Sequence, residues 1–186
     1  VPPLILVDDP NPSTHGVRNP QPIEIQEAIA GISPAYSTFS INYVAAGGSD
    51  PWGAACQEVP VEAKTAIEAA TSIWSRILWS QVPITISFCW SDLSDPNVLG
   101  YSGGQPAHRD FEGAPKTGVW YQGALANSLN SNDLDPSTYD DYITFNSKFS
   151  WYYGTDGNTP DGKHDLVTVA LHEIGQIGRA SCRERV

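Results

Sequence analysis

The order of the periodic patterns between residues 37 and 90 constrains the fold more than any other feature. Across residues 37–43 apolar and polar side chains alternate, which is the period-two signature of a half-buried strand. Beyond Pro60 apolar residues recur at spacings of three and four as far as Leu78, which predicts a helix with one packed face. Ile84–Trp90 alternates again. A strand, a helix and a strand in this order predict a crossover between two parallel strands.

The first 36 residues predict an arm outside this unit. Seven prolines remove backbone donors and block helix interiors, so we expect an extended arm, linker or propeptide tail. Only a short strand at Leu4–Val7 and one helical turn near Ile25–Ala30 are compatible with the pattern. The chain begins at Val1 and contains no Met, so we expect the start of the gene to be missing.

The middle of the chain predicts mostly connections. Residues 91–141 are rich in Asp, Asn, Ser, Gly and Pro, with one short strand expected at Thr117–Gln122 and a loop at Asn127–Asp141. A further strand is expected at Tyr142–Asn146, followed by the turn-prone segment Gly154–Lys163. We expect most of the aromatic side chains of this part, including Trp120, Tyr121 and Trp151–Tyr153, to lie in the core.

The last patterned segment is an apolar helix. Asp165 has the chemistry of an N-cap, and the apolar run Leu166–Leu171 follows it directly. Helical spacing predicts one apolar ridge made by Val167, Leu171 and Ile174, with Val169 and Ala170 beside it. We expect Gly175 to let another backbone or side chain approach the helix closely, at a propensity cost of about 1 kcal/mol relative to Ala.

The end of this helix contains the residues that point to chemistry. Residues four apart share a helix face, so two histidines at 172 and 176 would both reach one Zn²⁺ ion. His172 and Glu173 are present, but residue 176 is Gln. In the simplest alternative reading, His172 is a hydrogen-bonded core histidine and Glu173 is a solvated helix residue.

Residues 177–186 differ abruptly in composition from the rest of this acidic chain. They carry three arginines and look like the in-frame translation of a sequencing adapter, so we expect them to be a non-native tail. In that reading only the leading C of the codon for Gln176 is native. Codons for His begin with C, as do those for Leu, Pro, Arg and Gln. The native base therefore permits His at position 176 but does not select it.

Three segments together resemble secreted bacterial zinc metalloproteases of the metzincin-like kind. They are Thr144–Ser147, Trp151–Gly157 and Asp165–Gly175, with sequences TFNS, WYYGTDG and DLVTVALHEIG. The resemblance covers residues 37–175 and implies an α+β fold: a twisted mixed sheet with a backing helix and an active-site helix, the upper lobe of a zincin-type catalytic domain.

The same resemblance implies the chemistry of the site. His172 would be the first zinc ligand and Glu173 the general base of a zinc-dependent endopeptidase that acts on peptide or protein substrates with metal-activated water. Gln176 departs from the family pattern at the second ligand, so the resemblance implies His at position 176 in the untruncated protein. The third ligand and the lower lobe are absent. We therefore expect the chain as printed, with its domain ending at residue 176, to be inactive.

Composition and charge argue against two other classes of function, nucleic-acid binding and membrane association. Without residues 177–186 the formal net charge changes from −11 to −13, which argues against binding nucleic acid. No stretch approaches the roughly 20 apolar residues of a membrane span, so no membrane partner is expected. Cys56 and Cys89 form a disulfide in an exported protein or remain two free thiols in a reducing cytosol. We expect a secreted monomer.

The remaining polar groups give weaker expectations. The loop Asn127–Asp141 carries oxygen donors that a Ca²⁺ site would use, but it lacks the EF-hand order, and we favour a solvated turn. His15, His108 and His164 are expected to be ordinary surface or capping residues. A noncatalytic β-rich module for carbohydrate binding or adhesion is the alternative to the peptidase, with exposed aromatic residues and acidic loops as its binding groups. The oxygen donors of the loop Asn127–Asp141 belong to Asn132, Asp133, Asp135, Asp140 and Asp141.

Overall fold

The computed structural model describes residues 4–7, 30–31, 35–103 and 106–178. The predicted helical turn near Ile25–Ala30 lies almost wholly outside these residues. The strands are β1 Leu4–Val7, β2 Phe39–Tyr43, β3 Cys56–Gln57, β4 Ile84–Ser91, β5 Val98–Gly103, β6 Ala107–His108, β7 Tyr121–Gln122, β8 Asp141–Asn146, β9 Trp151–Tyr152 and β10 His164–Asp165. The helices are α1 Val61–Ser75, α2 Gly123–Asn130 and α3 Leu166–Ile174, and a 3₁₀ turn follows at Gly175–Gly178.

One mixed sheet organises the chain. Its strands lie in the order β1, β5, β8, β4, β2, and β3 pairs with the end of β4. Strands β2 and β8 run parallel to β4, whereas β5 is antiparallel to both β8 and β1. The parallel pairing of β2 with β4 across α1 confirms the predicted crossover. The α+β class is likewise confirmed, and the strand predicted at Leu4–Val7 belongs to this sheet.

The core lies between this sheet and helices α1 and α3. Strand β4 is an interior strand, flanked by β8 and β2, and seven of its eight residues are buried. Its apolar side chains alternate onto the helix-bearing face, where the ring of Phe88 stacks on that of Phe145 in β8 at a centroid distance of 5.9 Å. Burial of one such ring stabilises the fold by about 2 kcal/mol. Ala63, Ala66 and Ala70 of α1 are fully buried, so the helix lies close to the sheet.

The opposite face of the sheet is polar and is covered by residues 44–57. Asp50, 6 % exposed, accepts hydrogen bonds from the backbone N–H groups of Trp52 and Ala54 at 3.0 and 2.8 Å. Its second oxygen accepts from the hydroxyls of Tyr101 in β5 and Thr144 in β8 at 2.5 and 2.8 Å. One buried carboxylate therefore joins this loop to two neighbouring strands, and all its bonds are charge-assisted.

A disulfide strengthens the same region. Cys56 of β3 and Cys89 of β4 are bonded to each other, and both are buried. Of the two alternatives that the sequence left open, the bridge is the one found. It closes a segment that contains the whole of α1, and it joins β3 covalently to β4 beside the place where the two strands pair.

The middle of the chain is more ordered than its composition predicts. Residues 98–103 form β5, and α2 begins at Gly123 and includes the first residues of the predicted loop Asn127–Asp141. The strand expected at Thr117–Gln122 is reduced to Tyr121–Gln122. Both missed elements carry Gly and Ser or Asn in place of periodic apolar residues, so tertiary contacts decide their structure. Strand β5 pairs with β1 and β8, and helix α2 contacts β6, β7 and the 3₁₀ turn. No helix within the described ranges is long and apolar enough to cross a membrane.

Candidate active site

Helix α3 starts where the sequence predicts. The side chain of Asp165 accepts a hydrogen bond from the backbone N–H of Val167 at 3.2 Å, and its other oxygen accepts from the Thr168 hydroxyl at 2.6 Å. The first bond uses a backbone donor that a helix N-terminus otherwise leaves unpaired. The N-cap assignment of Asp165 is confirmed, and it fixes the rotation of the helix on the sheet.

The buried face of α3 differs from the predicted ridge. The buried residues of the helix are Leu166, Val169, Ala170, Glu173 and Ile174. Val167 and Leu171, assigned to the ridge from their spacing, are only half-buried. The predicted ridge was therefore wrong, because the buried stripe begins at Leu166 and not at Val167. Compared with the prediction, the helix is rotated about its axis so that Glu173 faces the core.

Helix α1 holds the end of α3 in place. The indole Nε1 of Trp74 donates a hydrogen bond to the Leu171 carbonyl at 3.0 Å. The same indole ring covers Gly175, where a Cβ atom would lie 3.1 Å from its Cζ2 atom. The expectation that Gly175 permits a close approach is confirmed, and the approaching group is the Trp74 ring.

Glu173 is the most unusual group in the protein. Its side chain is 1 % exposed, and neither carboxyl oxygen has a hydrogen-bond partner among the described residues. Burial raises the pKa of Glu173 to about 7, and the nearby Ser102 hydroxyl in β5 opposes this rise. That hydroxyl does not reach regular hydrogen-bond geometry with the carboxyl group. A carboxyl group with a pKa near neutrality is suited to take up and release protons.

The side chains of His172 and Gln176, which lie on either side of Glu173 in the sequence, contact each other. His172 is exposed, Gln176 is 7 % exposed, and their Nε2 atoms lie 3.1 Å apart. The alternative with a core histidine and a solvated glutamate is therefore wrong, since the two residues have the reverse exposure. The predicted convergence of positions 172 and 176 is confirmed, although Gly175 already begins the 3₁₀ turn.

The residues present do not fit a zinc ion. An amide N–H of Gln176 that donates to His172 uses the ring lone pair that a metal would need. Within the ranges that the structure describes, no group of three or more His, Cys, Asp or Glu side chains is arranged to hold a metal ion. Among the described side chains at this position, His172 thus supplies a single imidazole.

The other histidines have structural surroundings. His164 packs edge-on against Phe149 and Trp151, with ring centroids 4.9 and 6.1 Å away. His108 lies in the short strand β6, and His15 is outside the described residues. The described contacts bring neither His108 nor His164 beside His172, and the expectation for His15 is untested.

The acidic loop uses its oxygens within the fold. The amide of Asn127 donates to Asp140 at 3.0 Å and to Asp133 at 3.3 Å, and Asp140 also accepts from the backbone N–H and the hydroxyl of Thr85. Burial raises the pKa of Asp140. These bonds tie α2 and the loop to β4. Because these oxygen atoms already have partners within the fold, we do not propose a calcium site here.

Comparison with known proteins found no match: no family model, no curated protein and no solved structure is similar to this chain. The interpretation of the site therefore depends on its own geometry and on the sequence motifs.

Sequence reasoning missed two residues that shape the site. Ser102 lies in a strand that was not predicted, so its proximity to Glu173 had no signal in the sequence. Trp74 was recognised only as a member of the apolar helix face. The spacing of Trp74 within α1 predicts that its side chain faces the core. Its hydrogen bond to Leu171 joins residues 97 positions apart, and no local sequence pattern predicts such a bond.

Proposed function

We propose that this chain is the first lobe of a zinc-dependent endopeptidase in which Glu173 is the general base, and that the chain carrying Gln176 is inactive. The observation that supports the proposal is the buried, unpartnered carboxyl group of Glu173, with its pKa near 7, one residue from the exposed His172. A buried acid without a partner costs stability, so it is a common feature of functional sites.

Glu173 has a defined part in such a reaction. As a carboxylate it takes a proton from a water molecule while the water oxygen bonds to the peptide carbonyl carbon. It then returns that proton to the amine nitrogen as the carbon–nitrogen bond breaks. Zinc belongs to the proposal through the sequence resemblance, since the residues that the structure describes do not form a set of ligands for it.

The natural gene sequence across position 176 tests the family assignment. A His codon at that position, with further ligand residues after it, supports the peptidase. Any other residue there overturns it, because a single imidazole cannot hold a catalytic zinc ion.

The inactivity of the printed chain is tested separately. Purified chain incubated with zinc and casein is expected to release no peptides. Proteolysis that disappears in the Glu173→Ala variant would contradict the inactive assignment while keeping Glu173 as the base. Proteolysis that survives in that variant would contradict the role of Glu173.

A groove on the other side of β5 favours one alternative, a carbohydrate-binding module. Trp52 and Tyr101 line it in an edge-to-face pair with centroids 5.1 Å apart, and Asp92 and Asp95 lie at its rim. Aromatic rings beside carboxylates are suited to sugar rings and their hydroxyls. Tryptophan fluorescence titrated with soluble polysaccharides tests this function, and a response lost in Trp52→Ala would favour the module over the peptidase.

A further inference from the structure

The groove beside Trp52 and Tyr101 lies on the side of the sheet that faces away from α1 and α3. Its volume is about 440 Å³, which is within the range of small-ligand sites. The two rings are nearly perpendicular, with an interplanar angle of 86°. In an edge-to-face pair the corner beside the contact is bounded by one face of each ring, so a ligand in that corner contacts two π faces.

One buried carboxylate holds both rings in place. Asp50 accepts hydrogen bonds from the backbone N–H of Trp52 and from the Tyr101 hydroxyl. Burial, together with this bond to Asp50, raises the pKa of Tyr101, so the hydroxyl keeps its proton and remains a donor. A phenol that donates to a carboxylate gains negative charge on its ring, and this charge strengthens the attraction of the ring for a cation. The corner is therefore preformed and electron-rich.

The charges around the groove are mostly negative. Asp92 and Asp95 lie at its rim, and Asp50 lies behind the two rings. None of the described residues that line the groove is basic. Lys148 contacts Asp92 at 3.0 Å and offsets one of these charges. This field attracts a cation, whereas a neutral sugar gains no binding energy from it.

The rim carboxylates already accept local hydrogen bonds. Asp92 accepts from the Ser94 N–H at 3.1 Å and from Lys148, and Asp95 accepts from the Asn97 N–H at 2.9 Å. A primary ammonium group needs acceptors for its three N–H groups. A quaternary ammonium group has no N–H group, and ring faces with a negative field are sufficient to bind it. The groove therefore favours a quaternary ammonium group over a primary one.

We propose that the groove beside Trp52 and Tyr101 binds the quaternary ammonium group of a small solute such as choline, with Asp92 and Asp95 on its outer side. The inference is independent of the proposed peptidase, and it assigns a cation to the groove that the alternative function gives to sugars. A lipid headgroup carries the same cation, but its phosphate lies two carbon atoms away and would approach the two rim carboxylates. The free solute is therefore the assigned ligand.

Calorimetric titration of the full chain with two probes tests the role of charge. The probes are choline and the neutral alcohol in which a carbon atom replaces the choline nitrogen, so their shapes match. We expect the chain to bind choline at least tenfold more tightly than the alcohol. Equal affinities, or no binding of choline, would overturn the proposal. This comparison uses the parent chain, so it does not depend on whether a variant folds.

Substitutions then locate the site. Trp52→Ala should weaken choline binding at least tenfold, whereas Trp52→Phe keeps an aromatic face and should lose less. Asp92→Asn combined with Asp95→Asn should weaken it at least fivefold, because the side chains keep their size and lose their charge. The matched controls are Trp79→Ala and Asp161→Asn, two exposed residues outside the groove, and both should bind choline as the parent does. Choline binding that the groove variants leave unchanged would overturn the site.

Two further titrations separate choline from the other ligands. The chain should not cosediment with phosphatidylcholine vesicles, and cosedimentation lost in Trp52→Ala would overturn the solute and assign the groove to a lipid headgroup. Soluble polysaccharide that binds through Trp52, with no binding of choline, would overturn the cation and support the carbohydrate module. Neither result depends on proteolysis, so the proposed peptidase is tested separately.

Discussion

The Leu171 carbonyl accepts two hydrogen bonds, one from the indole Nε1 of Trp74 at 3.0 Å and one from the backbone N–H of Gly175. The second belongs to the helix itself, whereas the first comes from the neighbouring helix α1. This shared acceptor fixes the last turn of α3, and therefore the position of Glu173 two residues further on.

We expect Trp74→Phe to lower the free energy of unfolding by about 1–3 kcal/mol, because it removes a hydrogen bond and part of the ring that covers Gly175. Urea unfolding followed by circular dichroism measures the change. Trp79→Phe is the matched control, since Trp79 is 63 % exposed and should cost little. Equal losses in the two variants would show that the Trp74 contact does not stabilise the fold.

The raised pKa of Glu173 gives stability a defined dependence on pH. The folded state holds the proton up to about pH 7, whereas the unfolded state releases it near pH 4.5, so stability falls as pH rises through that interval. The loss amounts to about 3 kcal/mol above pH 7. Below pH 4.5 both states are protonated, and this contribution is fully present.

Glu173→Gln should remove this dependence, because the amide does not titrate. We expect the variant to be more stable than the parent at pH 8 and similar to it at pH 4, measured by thermal unfolding at both values. Glu62→Gln, an exposed substitution in α1, should follow the parent. A Glu173→Gln variant that also follows the parent would contradict the buried carboxyl group.

Gln176→His should create a zinc site of two imidazoles four residues apart. We expect this variant to bind zinc at least tenfold more tightly than the parent, in competition with a zinc-sensitive dye. Adding His172→Ala to it should abolish the gain. Equal affinity of the parent and the single variant would show that the two side chains cannot share an ion.

The disulfide should contribute a large share of the stability. Cys56 and Cys89 are separated by 33 residues, and closing a loop of that size stabilises a protein by about 4 kcal/mol in the chain-entropy description. Replacing both with Ser should lower the urea midpoint markedly. Cys182→Ser is the control and should leave the midpoint unchanged, and a matching fall in that variant would contradict the assignment.

Local patterns were sufficient for the elements whose side chains repeat along the chain. The alternation before Tyr43, the helical spacing up to Leu78 and the N-cap at Asp165 all predict elements that the structure contains. The strand at Leu4–Val7 was predicted as well, but its partner β5 was not. Pairing between strands almost 100 residues apart has no counterpart in local periodicity.

The sequence predicted the residues of the candidate site but not how the surrounding fold orients them. The dipeptide His172–Glu173 and the departure at Gln176 are visible in the sequence. Which of the two faces inward is decided by the rotation of α3, and the start of the buried stripe at Leu166 sets that rotation. A change of one residue in that starting point moves every later side chain by about 100°.

Asp50 has a consequence for the order in which strands can separate. Its carboxylate ties the hydroxyls of Tyr101 and Thr144 to one loop, so β5 and β8 are clamped together from the side remote from α3. The terminal segment Leu4–Val7 is outside that clamp. We therefore expect β1 to separate from β5 more readily than β5 separates from β8, so that the strand beside Glu173 keeps its place in the sheet when β1 leaves.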